Sequence, residues 1–423
     1  MMILVMYVTI FVVAYFLYTR LERLRHHSTD FTSLKTVTFG DESAVRANRA
    51  ASVISVVTIF LLWGAFTGSK LVPVHMPGPF LGEASFTYRA ENAAGATDDA
   101  TVHIVVHPVS EKAAKPVIDP ARDTGFARDD AITVGAWRSA LVRVQKNDEG
   151  GKDDAYRVIQ VNGQSIEPDG EVEVDSGVVR MTKKGSLSYE PAKGWQMESI
   201  WLPAPEAVWG RLVEIASEGY QNITLSENLG WSLLRVVVGF VLGSLVGIPL
   251  GYAMGLSSWF RGWFDPIVEF MRPVPPLALI PLVIIWFGIW ETGKISLLFL
   301  AALWIMTIAA RAGVSGVKIS KVHAAYSLGA SKFQVLTKVI VPNSLPEIFT
   351  GARVAMGVCW GTVVAAELVA AEKGAGKMII AASKFQQTDI VIMGIILIGV
   401  IGYGIDILMR MAENYLVPWK GRG

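Results

Sequence analysis

Few side chains in this sequence stand where chemistry could be done, and those few lie in apolar runs. Arg272 interrupts one hydrophobic stretch together with three prolines, in Met271-Arg-Pro-Val-Pro-Pro-Leu-Ala. Glu367 lies near the end of another, which also carries Trp360. An ionisable group at membrane depth is costly, so it marks a substrate pathway or an ion pair. Pro273, Pro275 and Pro276 break the helix beside Arg272, and the freed backbone groups must face protein or water. Arg272, Pro273, Pro275, Pro276, Trp360 and Glu367 are therefore the candidate lining of a translocation path. There an anion would meet the fixed charge of Arg272. Two plainer roles stay open: Arg272 snorkelling to the inner face, and Glu367 bonding a neighbouring helix.

Catalytic and metal chemistry find no pattern. The six histidines are scattered, with neither H-x-x-H nor H-E-x-x-H spacing. His26 and His27 follow arginines and read as solvated. The one cysteine, Cys359, lies in an apolar span and can form neither an intrachain disulfide nor a cysteine cluster. Gly374-Ala-Gly-Lys377 imitates a phosphate loop, but Met378 follows where Ser or Thr is required. No catalytic residue, metal or bound cofactor is expected on this chain.

These residues need a membrane scaffold to hold them. Of the 423 residues, 52% are hydrophobic and 18% charged, below the roughly 25% charged of soluble domains. The net charge of +1 gives no reason to expect nucleic-acid binding. Residues 1–18 form an apolar segment followed by Arg20, Arg23 and Arg25, the reverse of a cleaved signal peptide, and so read as a retained helix. Residues 19–50 carry six Lys/Arg and read as cytoplasmic. A second span covers 51–67.

From 68 to 200 the chain turns polar, with alternating strand patterns separated by Gly/Asp turns. Short strands at this spacing predict an Ig-like β-sandwich. Residues 201–423 return to the membrane. Around Pro205 and Glu206 an interfacial helix begins, with Val208, Trp209, Leu212, Val213 and Ala216 on its apolar face. Five spans follow: Trp231 to Met254, the interrupted Phe264 to Trp290, Ser296 to Ala310, one after Pro342, and Ile390 to Leu408. The first repeats Gly239, Gly243, Gly247, Gly251 and Gly255, a stripe that lets another helix approach closely. Gly357 and Gly361 make a second small-residue stripe. Glu372 to Asp389 reads as an outer loop.

The loop at 312–350 organises the whole. Lys318, Lys321, Lys332 and Lys338 place it in the cytoplasm by the positive-inside rule. A helix is predicted to end near Leu328 with Gly329 as its left-handed cap. Ser331 N-caps a second helix, which Pro342 ends, and Ser344 to Glu347 has the spacing of a capping box for the next. This pattern of Ala324, Ala325, Gly329 and, thirteen residues on, Pro342 resembles the EAA coupling loop of ATP-binding-cassette importer permeases. The family's leading glutamate is His323 here. Arg-Pro-Val-Pro-Pro-Leu-Ala and the terminal Val417-Pro-Trp-Lys-Gly resemble its taurine branch.

The resemblance implies an α-helical polytopic inner-membrane permease; with the extra N-terminal helix this makes about seven transmembrane helices, and the β-sandwich read from the strand pattern is an insert expected on the periplasmic side. It implies a homodimer, two separate ATPase subunits that bind ATP and Mg2+, and a periplasmic substrate-binding protein. His323, Ala324, Ala325, Ser327, Leu328, Gly329 and Pro342 would couple to the ATPase. Taurine or a related sulfonate leads as cargo, with nitrate and bicarbonate as alternatives. The polar insert resembles bacterial cadherin-like repeats in two pieces, with the closing piece (Phe80 to Val106) ahead of the opening one (about Arg128 to Pro191), which implies a permuted sandwich. Two other classes remain. A secondary transporter would need membrane acids and a repeat, and the sequence offers Glu367 without a clear repeat. A sensor or adhesion protein would not need so many spans.

Overall fold

The computed structural model describes residues 2–25, 48–109, 111, 113–118, 125–151 and 156–419. It comprises two units, Met1–Glu206 and Ala207–Gly423.

The first unit begins with helix α1 (Met2–Arg25), which continues past residue 18 through the basic turn. The rest of the expected cytoplasmic segment, including His26 and His27, lies outside the described residues up to 47. Helix α2 (Arg49–Thr67) starts where Asn48 accepts from the Ala50 and Ala51 amides at 2.9 and 3.3 Å, and it ends at left-handed Gly68. The Tyr7 and Ser55 hydroxyls join the two helices at 2.6 Å.

Nine strands follow among the described residues: β1 (Gly82–Glu91), β2 (Thr97–His107), β3 (Asp130–Gly135), β4 (Ala140–Val142), β5 (Arg157–Val161), β6 (Gln164–Ser165), β7 (Glu171–Val174), β8 (Gly177–Met181) and β9 (Leu187–Pro191). They form two sheets, ordered β3-β2-β1-β5-β6 and β4-β9-β8-β7. Period-two alternation puts Phe86, Tyr88, Val102 and Ile104 of one sheet against Val179, Met181, Leu187 and Tyr189 of the other, in one core. Phe86 stacks on Tyr189 at 6.2 Å. All pairings are antiparallel except β2 with β3, which runs parallel from Val102↔Asp130 to His107↔Gly135. The two chain ends of the sandwich meet, with Phe80 N donating to Ala192 O at 2.8 Å. Inside, Asp148 accepts from the Tyr88 and Tyr156 hydroxyls and the Arg128 amide. Burial pushes the Asp148 carboxyl up against the pull of these donors, and pushes both phenols up as well.

The remaining helices are α3 (Pro205–Glu218), α4 (Leu225–Leu256), α5 (Ser258–Met271), α6 (Ile280–Phe287), α7 (Glu291–Ser315), α8 (Ile319–Ser327), α9 (Lys332–Val335), α10 (Val341–Ala370), α11 (Ala375–Lys384) and α12 (Thr388–Leu416). Among the described residues six helices are long and apolar enough to span a membrane, or seven with the pair α5 and α6, which is bent by 92°. The prolines thus produce a sharp corner between two short helices rather than one interrupted rod. The expected outer loop 372–389 contains α11, whose Ala375, Gly376, Met378, Ala381 and Ala382 are buried. On α3 the apolar face is divided: Val208 and Ile215 are buried, while Trp209 and Val213 are exposed.

The glycine ladder fixes how α4 meets α7. A β-carbon at Gly239 would strike Leu298, at Gly243 Ala302, at Gly247 the Leu303 carbonyl, at Gly251 the Thr307 carbonyl, and at Gly255 Val314. The two backbones are therefore in close contact along about four and a half helical turns, which only residues lacking a side chain permit. Gly357 and Gly361 differ. A β-carbon at either would meet nothing within 4 Å, because that face of α10 has no neighbour among the described residues.

Candidate functional site

The loop that resembles a coupling loop is built by two local devices. At the end of α8, Gly329 takes φ +79, its amide donates to Tyr326 O at 2.9 Å, and the Ala330 amide reaches back to Ala325 O at 3.1 Å. These paired bonds form a Schellman turn, which needs the left-handed residue glycine supplies. Two residues on, Ser331 opens α9 with a capping box: the Gln334 amide donates to Ser331 Oγ at 3.3 Å and the Ser331 amide to Gln334 Oε1 at 2.8 Å. Ser331→Ala is expected to cost about 1 kcal/mol at this helix start. Amide exchange at Gln334 should then quicken several-fold while the spans are unaffected.

No residue of α8 is buried. His323 and Ala324 are exposed and Ala325 is half-buried. Leu328 is 89% exposed and Phe333 72%. These are apolar side chains at a small, rigid corner among lysines, uncovered by their own chain. Such a protrusion suits a concave apolar partner surface.

Pro342 does not end the second helix. α9 runs through a π turn at Leu336–Ile340 into α10, and the apolar helix is continuous from Lys332 to Leu368. The wider turn accommodates the proline ring, which lacks an N–H and would otherwise crowd the carbonyl four residues back. The Pro342 carbonyl in turn faces Pro346, which has no N–H, and accepts instead from Trp419 Nε1 at 3.1 Å. Ser344 is not a cap either. It is buried within α10 and bonds Tyr252 of α4 and the Val341 carbonyl.

Toward the other end of α10 lies a buried charge cluster. Arg235 of α4 donates to Glu367 Oε1 at 2.6 Å, to both Glu291 oxygens at 2.5 and 2.8 Å, and to Lys373 O at 2.8 Å. Lys294 reaches Glu291 at 2.8 Å. Glu367 also accepts from Ser232 Oγ at 2.8 Å and from the Gly376 amide at 3.0 Å. The Gly374 and Ala375 amides go to Asn228 and Ser232 at 2.9 and 3.0 Å. The start of α11 thus gives the carboxylate one backbone donor, the Gly376 amide, and reaches it a second time through Ser232, at a helix start where the dipole favours a negative charge. A side chain at Gly374 would collide with Glu367. The glycines of the false phosphate loop hold an anion after all, one belonging to the protein.

The structure does not gather the other pathway candidates around Glu367. Arg272 is exposed at the corner after α5 and pairs with Glu269 at 3.7 Å. Trp360 is buried between α10 and α12, donating to Ile398 O at 3.0 Å. Pro275 and Pro276 lead into the short turn before α6. Sequence reasoning passed over Arg235, Glu291 and Lys294, although a charge at 235 inside the glycine-rich span is itself a signal.

The model of the family described as binding-protein-dependent transport system inner membrane component matches residues 231–416. The chain is 47% identical over 223 residues to the taurine transport system permease protein TauC of Escherichia coli K12, which spans 52% of this chain and 81% of the relative. It is 39% identical over 227 residues to the putative aliphatic sulfonates transport permease protein SsuC of the same organism (54% and 84% covered). With the nitrate import permease protein NrtB of Synechococcus elongatus it shares 30% identity over 210 residues, 48% of this chain and 72% of the relative.

Proposed function

Because the chain belongs to the permeases of binding-protein-dependent ATP-binding-cassette importers, we propose that it is the membrane subunit through which taurine or a related small sulfonate enters the cell. The observation that carries the substrate class is the 47% identity to a taurine permease over four-fifths of that relative, against 30% to a nitrate permease. The working complex is two copies of this chain, two separate ATPase subunits carrying ATP and Mg2+, and a periplasmic binding protein.

The corner around Gly329 is the part that docks on the ATPase. Its capped turns make it stiff, so a push on α8 is delivered to α9 rather than absorbed. From there one helix of 37 residues, about 55 Å long at 1.5 Å per residue, reaches Glu367 and the cluster binding α4, α7 and α11. ATP binding draws the two loops together, and α10 carries that displacement across the membrane. The π turn is the place where α10 can change pitch. Nucleotide and cargo bias this equilibrium only through their preference for one state over the other. The sandwich stands on the periplasmic side of the inner membrane.

Reconstitution of the chain with an ATPase and a binding protein encoded beside it tests the reading. Taurine is expected to stimulate hydrolysis several-fold, other sulfonates less, and nitrate not at all. Stimulation by nitrate alone would replace the substrate and keep the machine. Failure to retain any ATPase would remove the coupling assignment.

A further inference from the structure

The two linkers at the base of the sandwich, one arriving from α2 and one leaving for α3, do not rise from the membrane as a stalk; they fold back beside the last turns of α2. Ser69 N donates to Gly64 O and Met76 N to Ala65 O, both at 3.0 Å. Val72 lies directly on Gly64, where no β-carbon could fit. The returning linker does the same: Met197 N donates to Phe66 O at 2.8 Å, and Pro203 O accepts from Trp63 Nε1 at 2.9 Å. Both linkers thus reach the level of residues 63–66, inside the apolar helix Arg49–Thr67.

Polar bonds pin this arrangement. Glu206 accepts from Ser69 Oγ at 2.6 Å and from the Lys70 amide at 3.0 Å. Burial raises the Glu206 carboxyl, but the Ser69 and Lys70 bonds outweigh it and hold the group below its ordinary range. The His75 ring meets Ser69 O at 2.7 Å, and Gln196 Nε2 donates to Met76 O at 2.8 Å. Arg138, in the turn between β3 and β4, pairs with buried Glu198 and ties the linker to the sandwich. Beside exposed Lys70, His75 and Ser199, this pinned base turns three large apolar side chains outward: Leu71 at 60% exposure, Val74 at 70% and Trp201 at 73%.

We propose that Leu71, Val74 and Trp201 form a lipid-seated footing, immersed in the bilayer interface around the end of α2, which holds the sandwich in a fixed attitude on the membrane. Continuity with a membrane span identifies the occupant. The two segments carrying these side chains are bonded at their ends, through Ser69, Met76, Met197 and Pro203, to residues of α2 that lie within the span. A helix that crosses the bilayer brings the linkers bonded to its last turns to the lipid interface, where aromatic and aliphatic side chains partition favourably. With their apolar area withdrawn from water, three such residues on one rigid base resist tilting of the sandwich more than a flexible tether could.

The test uses the full-length chain in lipid nanodiscs, with a nitroxide at Leu71→Cys, Val74→Cys or Trp201→Cys. Native Cys359 is buried and stays in place. A label at Val57→Cys, exposed on α2, gives the lipid reference, and one at Leu141→Cys on the sandwich gives the aqueous one. Collisions with oxygen are expected to exceed those with a water-soluble nickel chelate at 71, 74 and 201, as at 57, with the ratio several-fold above that at 141. Trp201→Phe, a mild change, is expected to remove one increment of tryptophan quenching by brominated lipids. Nickel-dominated collisions at the three sites would put the base in water and overturn the footing. Immobilised labels reached by neither relaxant would show protein covering the base, and would overturn it equally.

Discussion

Arg235→Ala is expected to lower the stability of the helical unit by about 3–5 kcal/mol, the cost of leaving a buried charge without its partner. Glu367 is fully buried and Arg235 nearly so. Without the guanidinium, Glu367 keeps Ser232 Oγ and the Gly376 amide but loses its counter-charge, and the Lys373 carbonyl loses its donor. Glu291 suffers less, since it is partly exposed and retains Lys294. Glu367→Gln is expected to cost less than Arg235→Ala, because an amide can still bond Ser232 and Gly376 and Arg235 keeps Glu291. The double variant Arg235→Met with Glu367→Gln should recover part of the loss, since a neutral pair of similar volume removes the desolvation penalty. Thermal unfolding of the purified permease reads all three. An Arg235→Ala protein that melts like the parent would show that the charge is not buried, and the account of the cluster would fall.

How much of this was legible beforehand depends on how local the signal is. Gly329 and Ser331 act within one turn of their own position, so their residue types announced the corner that the structure forms. The ladder from Gly239 to Gly255 repeats every fourth residue and marks a close approach, but not the partner; α7 supplies it through Leu298 to Val314. Gly357 and Gly361 repeat with the same spacing and face open space, so spacing reveals a small-residue face and not what covers it. Pro342 misleads because helix breaking assumes an α ladder, and the π turn before it relaxes that ladder. The alternating strands of the sandwich were visible, whereas the parallel pairing of β2 with β3 is set by a non-local register that no short pattern encodes. Gly374 to Gly376 carried the right physics with the wrong ligand. A glycine-rich turn at a helix start does hold an anion, but the anion is Glu367, nine residues before the Gly376 amide that bonds it.

Gly329→Asp is expected to leave the permease inserted and folded while cutting substrate-stimulated ATP hydrolysis at least tenfold. The fold should tolerate the change for two reasons. A β-carbon at Gly329 would meet nothing within 4 Å, and aspartate enters the left-handed region more readily than most residues. The strain is on the order of 1 kcal/mol, spent in a loop that buries none of its own α8 residues. The function should not tolerate it, because the carboxylate would sit beside Leu328 at the tip of the surface proposed to dock on the ATPase. Burying an unpaired charge in an apolar contact costs several kcal/mol, and 1.4 kcal/mol already corresponds to a tenfold change. Gly329→Ala separates the two terms: it carries strain of the same order without the charge, and should retain most of the stimulation. If the alanine variant fails as badly as the aspartate one, backbone strain rather than docking governs the corner. If the aspartate variant supports normal stimulated hydrolysis, the ATPase does not seat on Gly329, and the 37-residue helix behind it is not the element that carries its displacement.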